Sequence, residues 1–276
     1  MLPNFLIIGS MKSGTTTLYH HLKSHPDIFM ADNKEPQYFS DDRKFSKGTG
    51  QYESLFKNYN NEKAIGEAST NYAKHPSFKN VPARIKKVIP DAKLIYVLRD
   101  PVDRIYSHFV HNYYMGRIEN DVEKAINNNA HYINVSKYYY QIEQYLEYFD
   151  KDNIKIILLD DLRDSPIETV ADTYRFLGVD DAHKPQGLGE HKHASDNKMG
   201  QSGALMSLIR RVPLYHAISN NIPEGAKRVL NAIVRKKVDP PLRLDEKLRK
   251  RLQGELKSDI LLLQEYLGRD LTHWLK

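Results

Sequence analysis

The sequence predicts a three-layer α/β fold, in which a central parallel sheet is flanked by helices and a helical C-terminal part follows. Three short apolar runs, at residues 4–9, 93–98 and 154–159, are typical of buried strands. Stretches with helical spacing of apolar residues follow these runs, so strand and helix alternate along the chain. This alternation favours parallel strands that are joined by crossover helices on both faces of the sheet.

The first two of these helices are predicted from the residues that bound them. Helical spacing of leucines begins at Thr15, after the first strand, and ends before Pro26. A second helix follows the strand that ends at Leu98, and Pro101 stands near its start, where a first helical turn tolerates proline. Each strand is therefore expected to lead directly into a helix.

The later helices are predicted from amphipathic spacing. Residues 135–149 place large apolar side chains on one face, and residues 166–177 read as a helix that ends at Gly178. Residues 245–267 carry leucines and an isoleucine at helical spacing, but the pattern is too short for a coiled coil. We expect the apolar face of this last helix to pack on the rest of the protein.

The 276 residues fit one large α/β domain. We expect a single domain over 1–276, with the α/β core in residues 1–180 and the helical C-terminal part in residues 204–276. Between them, residues 181–203 are rich in glycine, histidine, lysine and asparagine, and they read as a long loop. Loops of this length are usually either functional or disordered.

Composition excludes several classes of function. The chain has no cysteine, so disulfides, thiolate metal sites and cysteine nucleophiles are ruled out. No apolar run approaches the ~18 residues that span a bilayer, and the N-terminal residues do not resemble a signal peptide, so we expect a cytoplasmic protein without a membrane partner. The net charge of +6 indicates an anionic ligand. Basic and acidic residues are interleaved, which favours a small polyanion over nucleic acid.

A loop of small residues between the first strand and the first helix is the most informative segment. It reads Gly9-Ser-Met-Lys-Ser-Gly-Thr-Thr-Thr17, so backbone N–H groups and the positive end of the helix dipole are expected to converge on one point. Such a P-loop-like site suits a diphosphate-like group. The segment is not a Walker A loop, because Walker A places lysine directly after the last glycine, whereas Lys12 precedes Gly14 by two residues.

Two segments together resemble a known family. Lys12-Ser-Gly-Thr-Thr-Thr17 looks like the 5′-phosphosulfate loop of sulfotransferases that use 3′-phosphoadenosine-5′-phosphosulfate (PAPS). Residues 94–107 resemble the second half of that signature, a strand that ends in Arg-Asp-Pro and a helix that carries a serine. The resemblance covers roughly residues 4–200. It is nearest to the branch that contains carbohydrate sulfotransferases and their soluble bacterial-type relatives.

The resemblance implies a donor site and a way to stabilise the leaving group. In the family the arginine and serine of the second segment hold the 3′-phosphate, which implies that role for Arg99 and Ser107; two such groups can share one phosphate. Lys12 is expected to stabilise the bridging oxygen as adenosine 3′,5′-bisphosphate (PAP) leaves. The residues expected to bind the 5′-phosphosulfate are Lys12, Ser13, Gly14, Thr15, Thr16 and Thr17. No metal is expected, and the His-x-His pattern at residues 191–193 is a weak metal signal.

The residues after Asn33 are similar to the family's Lys-Glu-Pro-His-Phe-Phe segment, in which the glutamate is a proposed base. Glu35 is therefore the candidate general base, because the acceptor must lose a proton. Gln37 stands where the family has a histidine beside the acceptor, which removes one titratable group. Glu35 has an alternative role, in which it pairs with Lys34 or caps a turn.

A second candidate segment for the acceptor side is Gly66 to Tyr72. Glycan-modifying relatives carry Glu-Lys-Thr-Pro here, whereas this chain has Ala68 in the place of the lysine. We expect acceptor contacts from Glu67, Ser69 and Tyr72. His111 is a further candidate, because it follows Ser107 by four residues and lies on the same helical face.

The loop at 181–203 carries the remaining donor candidates. In the family a loop in this region closes over the nucleotide. Lys192, Ser195 and Lys198 are then expected to donate to phosphate or adenine, and nearby glycines would permit closure.

The sequence therefore predicts transfer of a sulfuryl group from PAPS to a hydroxyl or amine of a small metabolite or natural product, with PAP as product. A carbohydrate acceptor is the second reading within the same chemistry. A P-loop small-molecule kinase is the rival enzyme class; it requires Mg²⁺ and an Asp-bearing Walker B strand, which the segment that ends in Asp160 and Asp161 superficially offers. A nucleic-acid-binding protein is the rival outside enzymes. The sequence leaves open the acceptor, the attacking atom and the oligomeric state.

Overall fold

A computed structural model describes residues 1–185, 200–201, 235–236 and 241–276. Its main sheet has five strands in the order β2-β3-β1-β4-β5, and every neighbouring pair is parallel. The strands are β1 Phe5–Gly9, β2 Ile28–Met30, β3 Ala64–Ala68, β4 Lys93–Leu98 and β5 Ile154–Leu158. The parallel central sheet with flanking helices confirms the predicted fold class.

Helices connect the strands and continue after the sheet. The α-helices are α1 Thr15–Lys23, α2 Asp42–Phe45, α3 Gly50–Glu53, α4 Val81–Val88, α5 Pro101–Tyr114, α6 Val122–Asn127, α7 His131–Asn134, α8 Tyr138–Leu146, α9 Leu159–Asp164, α10 Pro166–Leu177 and α11 Glu246–Leu267. Short 3₁₀ helices occupy Tyr38–Ser40, Ser54–Phe56, Lys151–Asn153 and Thr272–Leu275.

The two faces of the sheet carry separate apolar clusters, because alternate side chains of a strand point in opposite directions. Phe5 and Ile7 of β1 belong to a cluster that α1 and α10 cover. Leu6 and Ile8 belong to a larger cluster that includes buried side chains of α4, α5, α8 and α11. Both faces are therefore closed to water, which explains why β1 and β4 read as continuous apolar runs.

Strands β2 and β3 were not predicted, and their composition explains why. β2 has only three residues. β3 contains Gly66 and Glu67, so it shows neither an apolar run nor a clean alternation. Gly66 is required there, because a Cβ at this position would lie 2.2 Å from the Phe5 ring.

The predicted helix at 135–149 is shorter in the structure, where α7 ends at Asn134 and α8 spans Tyr138–Leu146. The predicted helix at 245–267 is confirmed as α11, which buries Leu252 and Leu256 in the larger cluster. Asp259 of α11 accepts hydrogen bonds from the N–H groups of Tyr139 and Tyr140, at 3.1 and 2.9 Å. The C-terminal helix thereby caps the start of α8.

Two short strands, β6 Gly200–Gln201 and β7 Arg235–Lys236, pair in antiparallel fashion. Part of the region from residue 204 onward that we expected to be helical is therefore extended. Most of the predicted loop at 181–203 lies outside the described residues. Within the described part of the chain, no helix combines the length and apolar composition needed to cross a bilayer.

Candidate active site

Three neighbouring strands end at one edge of the sheet and carry most of the predicted site residues. β1 lies between β3 and β4, so the segments that follow these three strands are adjacent. The first segment holds Lys12, the second leads to Thr70, and the third begins with Arg99. In open parallel sheets ligands bind at this carboxyl edge, at the point where the connections diverge to the two sides.

The turn into α1 requires Gly14. Its φ is +90°, and a Cβ at this position would lie 2.6 Å from Leu159 Cδ1, so a side chain would be both strained and crowded. α1 begins at Thr15 and has no acidic residue in its first turn. The amides of a first turn have no acceptor within the helix, and the dipole makes this end positive. The start of α1 is therefore suited to bind an anion. Thr16 and Thr17, in this first turn, are exposed.

Positive φ angles mark the site independently of the motif. Among the described residues, the positions other than glycine with positive φ are Lys12, Glu35, Gln37, Asn61 and Asn80. Asparagine tolerates this region, whereas lysine, glutamate and glutamine rarely adopt it. The three unusual positions are all predicted site residues. Such strain clusters at functional sites.

The Tyr138 hydroxyl joins the two halves of the predicted donor site. It donates to the carbonyl oxygen of Arg99 at 2.9 Å. The hydroxyls of Ser10 and Ser13, whose own oxygens are 2.6 Å apart, lie close enough to Tyr138 to oppose the effect of burial on its pKa. Burial raises the pKa of Tyr138 to about 12, so the hydroxyl keeps its proton. The apolar face predicted for residues 135–149 gave no indication of this polar role.

The Ser13 hydroxyl belongs to the inner side of the loop. The side chain is fully buried, and its hydroxyl oxygen lies 2.6 Å from that of Ser10. The hydroxyl therefore holds the loop in shape from below. The exposed threonines and the amides of the first turn of α1 remain the groups that face outward.

Arg99 and Ser107 lie on consecutive parts of the chain at the same edge. Arg99 follows β4 directly, and Asp100 caps α5 by accepting a hydrogen bond from the N–H of Asp103 at 2.9 Å. The guanidinium of Arg99 is half-buried and lies 3.6 Å from the Asp103 carboxylate. Ser107, also half-buried, lies one turn further along α5. Asp103 also forms an ion pair with Arg249 of α11, so its negative charge is divided between the two arginines.

Arg104 fixes the start of α5 from inside the protein. Its side chain is fully buried; Nε donates to the Ser136 hydroxyl at 2.5 Å and Nη2 donates to the Tyr132 carbonyl at 2.6 Å. Ser136 in turn donates to the carbonyl of Pro101 at 3.1 Å. A buried arginine is costly unless it is paired in this way. This support for the Arg99 turn had no recognisable signal in the sequence.

Glu35 is held at the end of β3 by backbone and side-chain contacts. Its N–H donates to the Ala68 carbonyl at 2.9 Å. Its carboxylate accepts hydrogen bonds from the N–H and the hydroxyl of Thr70, at 2.9 and 3.1 Å. Of the two structural alternatives for Glu35, pairing with Lys34 is not what holds the carboxylate, because the Lys34 ammonium donates to Thr16 Oγ1. Thr70 is the residue that orients it.

Glu67, Ser69 and Tyr72 are all buried, and Tyr72 lines a small cavity of ≈ 160 Å³ together with His75 and Gln141. Glu67 is fully buried and accepts hydrogen bonds from the hydroxyls of Tyr72 (2.6 Å), Ser69 (2.8 Å) and Tyr52 (3.2 Å). Burial raises the pKa of Glu67 to about 7, although these hydrogen bonds oppose the shift. Ser69 also accepts the N–H of Gln37 at 3.0 Å. The cluster therefore supports the Glu35–Gln37 segment from beneath.

An open groove lies beside this segment. It has a volume of ≈ 320 Å³, and Gln37, Asn71 and Phe78 are among its lining residues. The rest of the lining is polar or charged, at Ser40, Asp41, Asp42 and Arg43. His111, a predicted acceptor contact, is not part of this lining. It lies in the last turn of α5 and lowers the pKa of the neighbouring His108, for which burial is the larger cause.

Lys74 extends the site beneath the groove. Its ammonium donates to the side-chain oxygen of Asn71 at 2.7 Å and lies 3.5 Å from the sulfur of Met11 in the phosphate loop. Burial lowers the pKa of Lys74 to about 8, and the Glu35 carboxylate opposes this shift. Lys74 thus connects the groove with the loop that carries Lys12. In the sequence, Lys74 is recognisable only as a lysine that follows the segment expected to contact the acceptor.

The kinase alternative finds no support at Asp160 and Asp161. Both lie in α9, after the edge strand β5. Asp161 is paired with both terminal nitrogens of Arg269, at 2.5 and 2.7 Å, and Asp160 lies 3.1 Å from Arg163. Their charges are therefore engaged by arginines. Lys192, Ser195 and Lys198, with the His191–His193 pattern, lie outside the described residues.

The Sulfotransferase domain family matches residues 2–207 of the chain, which is most of its length. This chain belongs to the sulfotransferase family. The family assignment agrees with the positions of the two motifs on adjacent strands of the sheet.

Curated relatives give the same family. The chain is 41% identical over 111 residues (39% of this chain) to the membrane-associated sulfotransferase kil1 of Dictyostelium discoideum and covers 22% of it. It is 30% identical over 201 residues (64% of this chain) to the bifunctional heparan sulfate N-deacetylase/N-sulfotransferase 4 of Mus musculus and covers 22% of it. It is 38% identical over 111 residues to the heparan sulfate glucosamine 3-O-sulfotransferase 3A1 of Mus musculus and covers 26% of it. The chain therefore spans about a quarter or less of each relative.

A solved sulfotransferase from Alicyclobacillus acidocaldarius superimposes with a TM-score of 0.73 at 24% identity, and the match covers 100% of both chains. The sulfotransferase domain from the Synechococcus PCC 7002 olefin synthase superimposes with a TM-score of 0.51 at 16% identity and covers 98% of this chain and 96% of the other. These similarities show the fold.

Proposed function

We propose that this sulfotransferase-family chain transfers the sulfuryl group of PAPS to a hydroxyl or amine of a polar, sugar-like acceptor. The observation that carries the proposal is the placement of the two donor motifs. The Lys12 loop follows β1 and Arg99 follows β4, and these strands are neighbours, so one nucleotide can reach both. The Tyr138 hydroxyl donates to the carbonyl of Arg99 and lies near the Ser10 and Ser13 hydroxyls of the other turn.

The residues of the loop fit the 5′ end of the donor. The first turn of α1 has no acidic side chain, and its amides have no acceptor within the helix. Gly14 allows the turn into this helix, because a side chain there would meet Leu159. Lys12 would stabilise the negative charge that develops on the bridging oxygen, which is the role that a preorganised cation fills in such transfers. Arg99 and Ser107 would hold the 3′-phosphate. A lysine in this role removes the need for a metal ion.

Glu35 is proposed as the general base. A base must be oriented toward the acceptor and must not be consumed by a strong internal ion pair. Thr70 fixes both carboxylate oxygens through neutral donors, and the Glu67 cluster supports the same segment through Ser69 and Gln37. The acceptor proton would pass to Glu35 as the new oxygen–sulfur or nitrogen–sulfur bond forms.

The groove beside Gln37 favours a polar acceptor. Its lining carries amide, hydroxyl, carboxylate and guanidinium groups, with Phe78 as its one aromatic side chain among the described residues. A second groove of ≈ 410 Å³ adjoins it through Ser40, Asp42 and Phe78, and Asn80 and Arg84 line it as well. Sites that recognise hydroxyl-rich ligands place several polar groups in this way, whereas an apolar ring requires an apolar pocket. The names of two relatives, which refer to heparan sulfate, support the same class.

The test is a transfer assay with PAPS labelled in its sulfate group. The panel contains a simple glycoside, an amino sugar, an oligosaccharide and a phenol, each assayed with and without a metal chelator. We expect label on at least one sugar-type acceptor, little on the phenol and no effect of the chelator. Transfer to the phenol alone would contradict the acceptor class. Consumption of ATP with Mg²⁺, without any consumption of PAPS, would contradict the donor.

A further inference from the structure

Lys34 lies between the donor loop and the proposed base. Its ammonium donates to the hydroxyl of Thr16, in the first turn of α1, and lies 5.9 Å from the centre of the Tyr19 ring. Its neighbour in the chain is Glu35, whose carboxylate accepts hydrogen bonds from Thr70, in the segment after β3. Two consecutive residues therefore reach the donor side and the acceptor side of the site.

The position of Lys34 is unfavourable in the absence of an anion. The N-terminal end of a helix is positive, so cations there are destabilising. The first turn of α1 has no acidic side chain, and Lys34 forms no ion pair within the described part of the chain. Burial lowers its pKa, and the charge of Glu35 opposes this only in part. By contrast, Lys23 in the last turn of the same helix has Asp32 at 2.5 Å.

In-line transfer specifies which anion belongs there. The 5′-phosphate is expected against the amides of α1, and the acceptor atom is expected beside Glu35. The sulfuryl group must then lie between them during transfer. The Lys34 ammonium lies beside Thr16, where the 5′-phosphate is expected, and the next residue in the chain is Glu35, where the acceptor atom is expected.

We infer that Lys34 is a further catalytic residue, whose ammonium leaves the Thr16 hydroxyl and binds the non-bridging oxygens of the sulfuryl group. The inference rests on the proposed function. An acceptor oxygen or nitrogen forms a bond to sulfur, the bond between sulfur and the bridging oxygen breaks, and PAP leaves with that electron pair. Glu35 takes the acceptor proton. Lys34 keeps its own proton throughout, and its charge offsets charge on the sulfuryl oxygens, while Lys12 acts on the leaving oxygen.

The experiment compares Lys34→Met, Lys34→Arg and the matched control Lys23→Met. PAP affinity is measured by calorimetry, and turnover is measured with PAPS and the best acceptor from the panel. We expect Lys34→Met to lower kcat by about 10²-fold, as for the loss of one preorganised donor, and to change the Kd of PAP by less than about threefold, because PAP has no sulfuryl group. Lys34→Arg should recover part of kcat, and Lys23→Met should behave as wild type.

Two results would overturn the assignment of Lys34. One is a Lys34→Met variant with wild-type kcat, which would leave Lys34 outside the chemistry. The other is a loss of PAP affinity as large as the loss of kcat, which would place Lys34 on the 5′-phosphate. A wild-type protein that binds PAP and consumes PAPS in either case keeps the proposed function intact. A wild-type protein that does neither refutes the proposed function itself.

Discussion

The donor side and the acceptor side of the proposed site are built in different ways. The donor loop is one contiguous segment, from Gly9 to Thr17, and its shape depends on backbone geometry, a required glycine and the start of a helix. The acceptor side joins residues 35–40 to residues 67–72 through a buried carboxylate that three hydroxyls surround. A phosphate site can thus be specified locally, whereas the acceptor side depends on contacts between distant parts of the chain.

The two sides also differ in charge and in the way they tolerate change. The donor side presents Lys12, Lys34 and Arg99 around a helix N-terminus, so removing one cation should weaken binding or transfer without unfolding the protein. The acceptor side rests on Glu67, which is fully buried, so changes beneath it should act first on stability.

The largest effect is expected for Glu35→Gln. The amide keeps the size of the side chain but cannot accept the acceptor proton, so kcat should fall by about 10²–10⁴-fold. The Kd of PAP should not change, because Glu35 faces the acceptor side. Glu143→Gln, on an exposed position of α8, is the control and should be fully active. Retention of wild-type kcat by Glu35→Gln would remove Glu35 from the mechanism.

The next largest effect is expected on the free energy of unfolding, which should depend on pH because Glu67 titrates. Its folded pKa of about 7 lies above the ordinary value of 4.5, so the folded state binds more protons between these two values. Stability should therefore decrease as the pH rises from about 4.5 to about 7, by about 3 kcal/mol in total. Glu67→Gln should remove this decrease. Denaturant unfolding of the wild type and of Glu67→Gln at pH 5 and pH 8 measures this decrease. If the free energy of unfolding changed equally with pH in the two proteins, Glu67 would not be its cause.

Gly14→Ala tests whether the donor loop is specified by its backbone. The alanine would have to adopt a φ of +90°, and its Cβ would lie 2.6 Å from Leu159 Cδ1. We therefore expect the free energy of unfolding to fall by about 1–3 kcal/mol and PAP to bind about tenfold more weakly. Gly48→Ala is the matched control, since its φ is +77° but no heavy atom lies within 4 Å of its Cβ. This control should lose stability without losing affinity. Equal PAP binding by both variants would contradict a backbone-built site.

The smallest effects come from two buried tyrosines of α8. Tyr138 donates to Arg99 on the donor side, whereas the hydroxyl of Tyr145 donates to the carbonyl of Tyr72 on the acceptor side, at 2.9 Å in each case. Each phenylalanine variant should lose about 1 kcal/mol of stability. Only Tyr138→Phe should weaken PAP binding, by about fivefold. If Tyr145→Phe weakened PAP binding to the same degree, the two sides would not be separable.

The donor side could be predicted from the sequence to a larger extent than the acceptor side. The strands β1, β4 and β5 and the loop at Lys12 were predictable, because apolar runs and the strand–loop–helix order are local signals. The strand β3 was not, because it carries Gly66 and a buried glutamate. The enclosure of Glu67 could not be predicted for the same reason: only its tertiary contacts with Tyr52, Ser69 and Tyr72 reveal it.

The most direct measurement is calorimetric titration with PAP, repeated with ATP and Mg²⁺, on the wild type and on Lys12→Ala and Arg99→Ala. We predict that PAP binds without metal, that it binds more tightly than ATP with Mg²⁺, and that both variants bind it at least about tenfold more weakly, as expected for the loss of a charge-assisted contact. Preference for ATP with Mg²⁺, or PAP binding that neither substitution changes, would contradict the central claim that the turns after β1 and β4 form one site for a 3′-phosphorylated nucleotide.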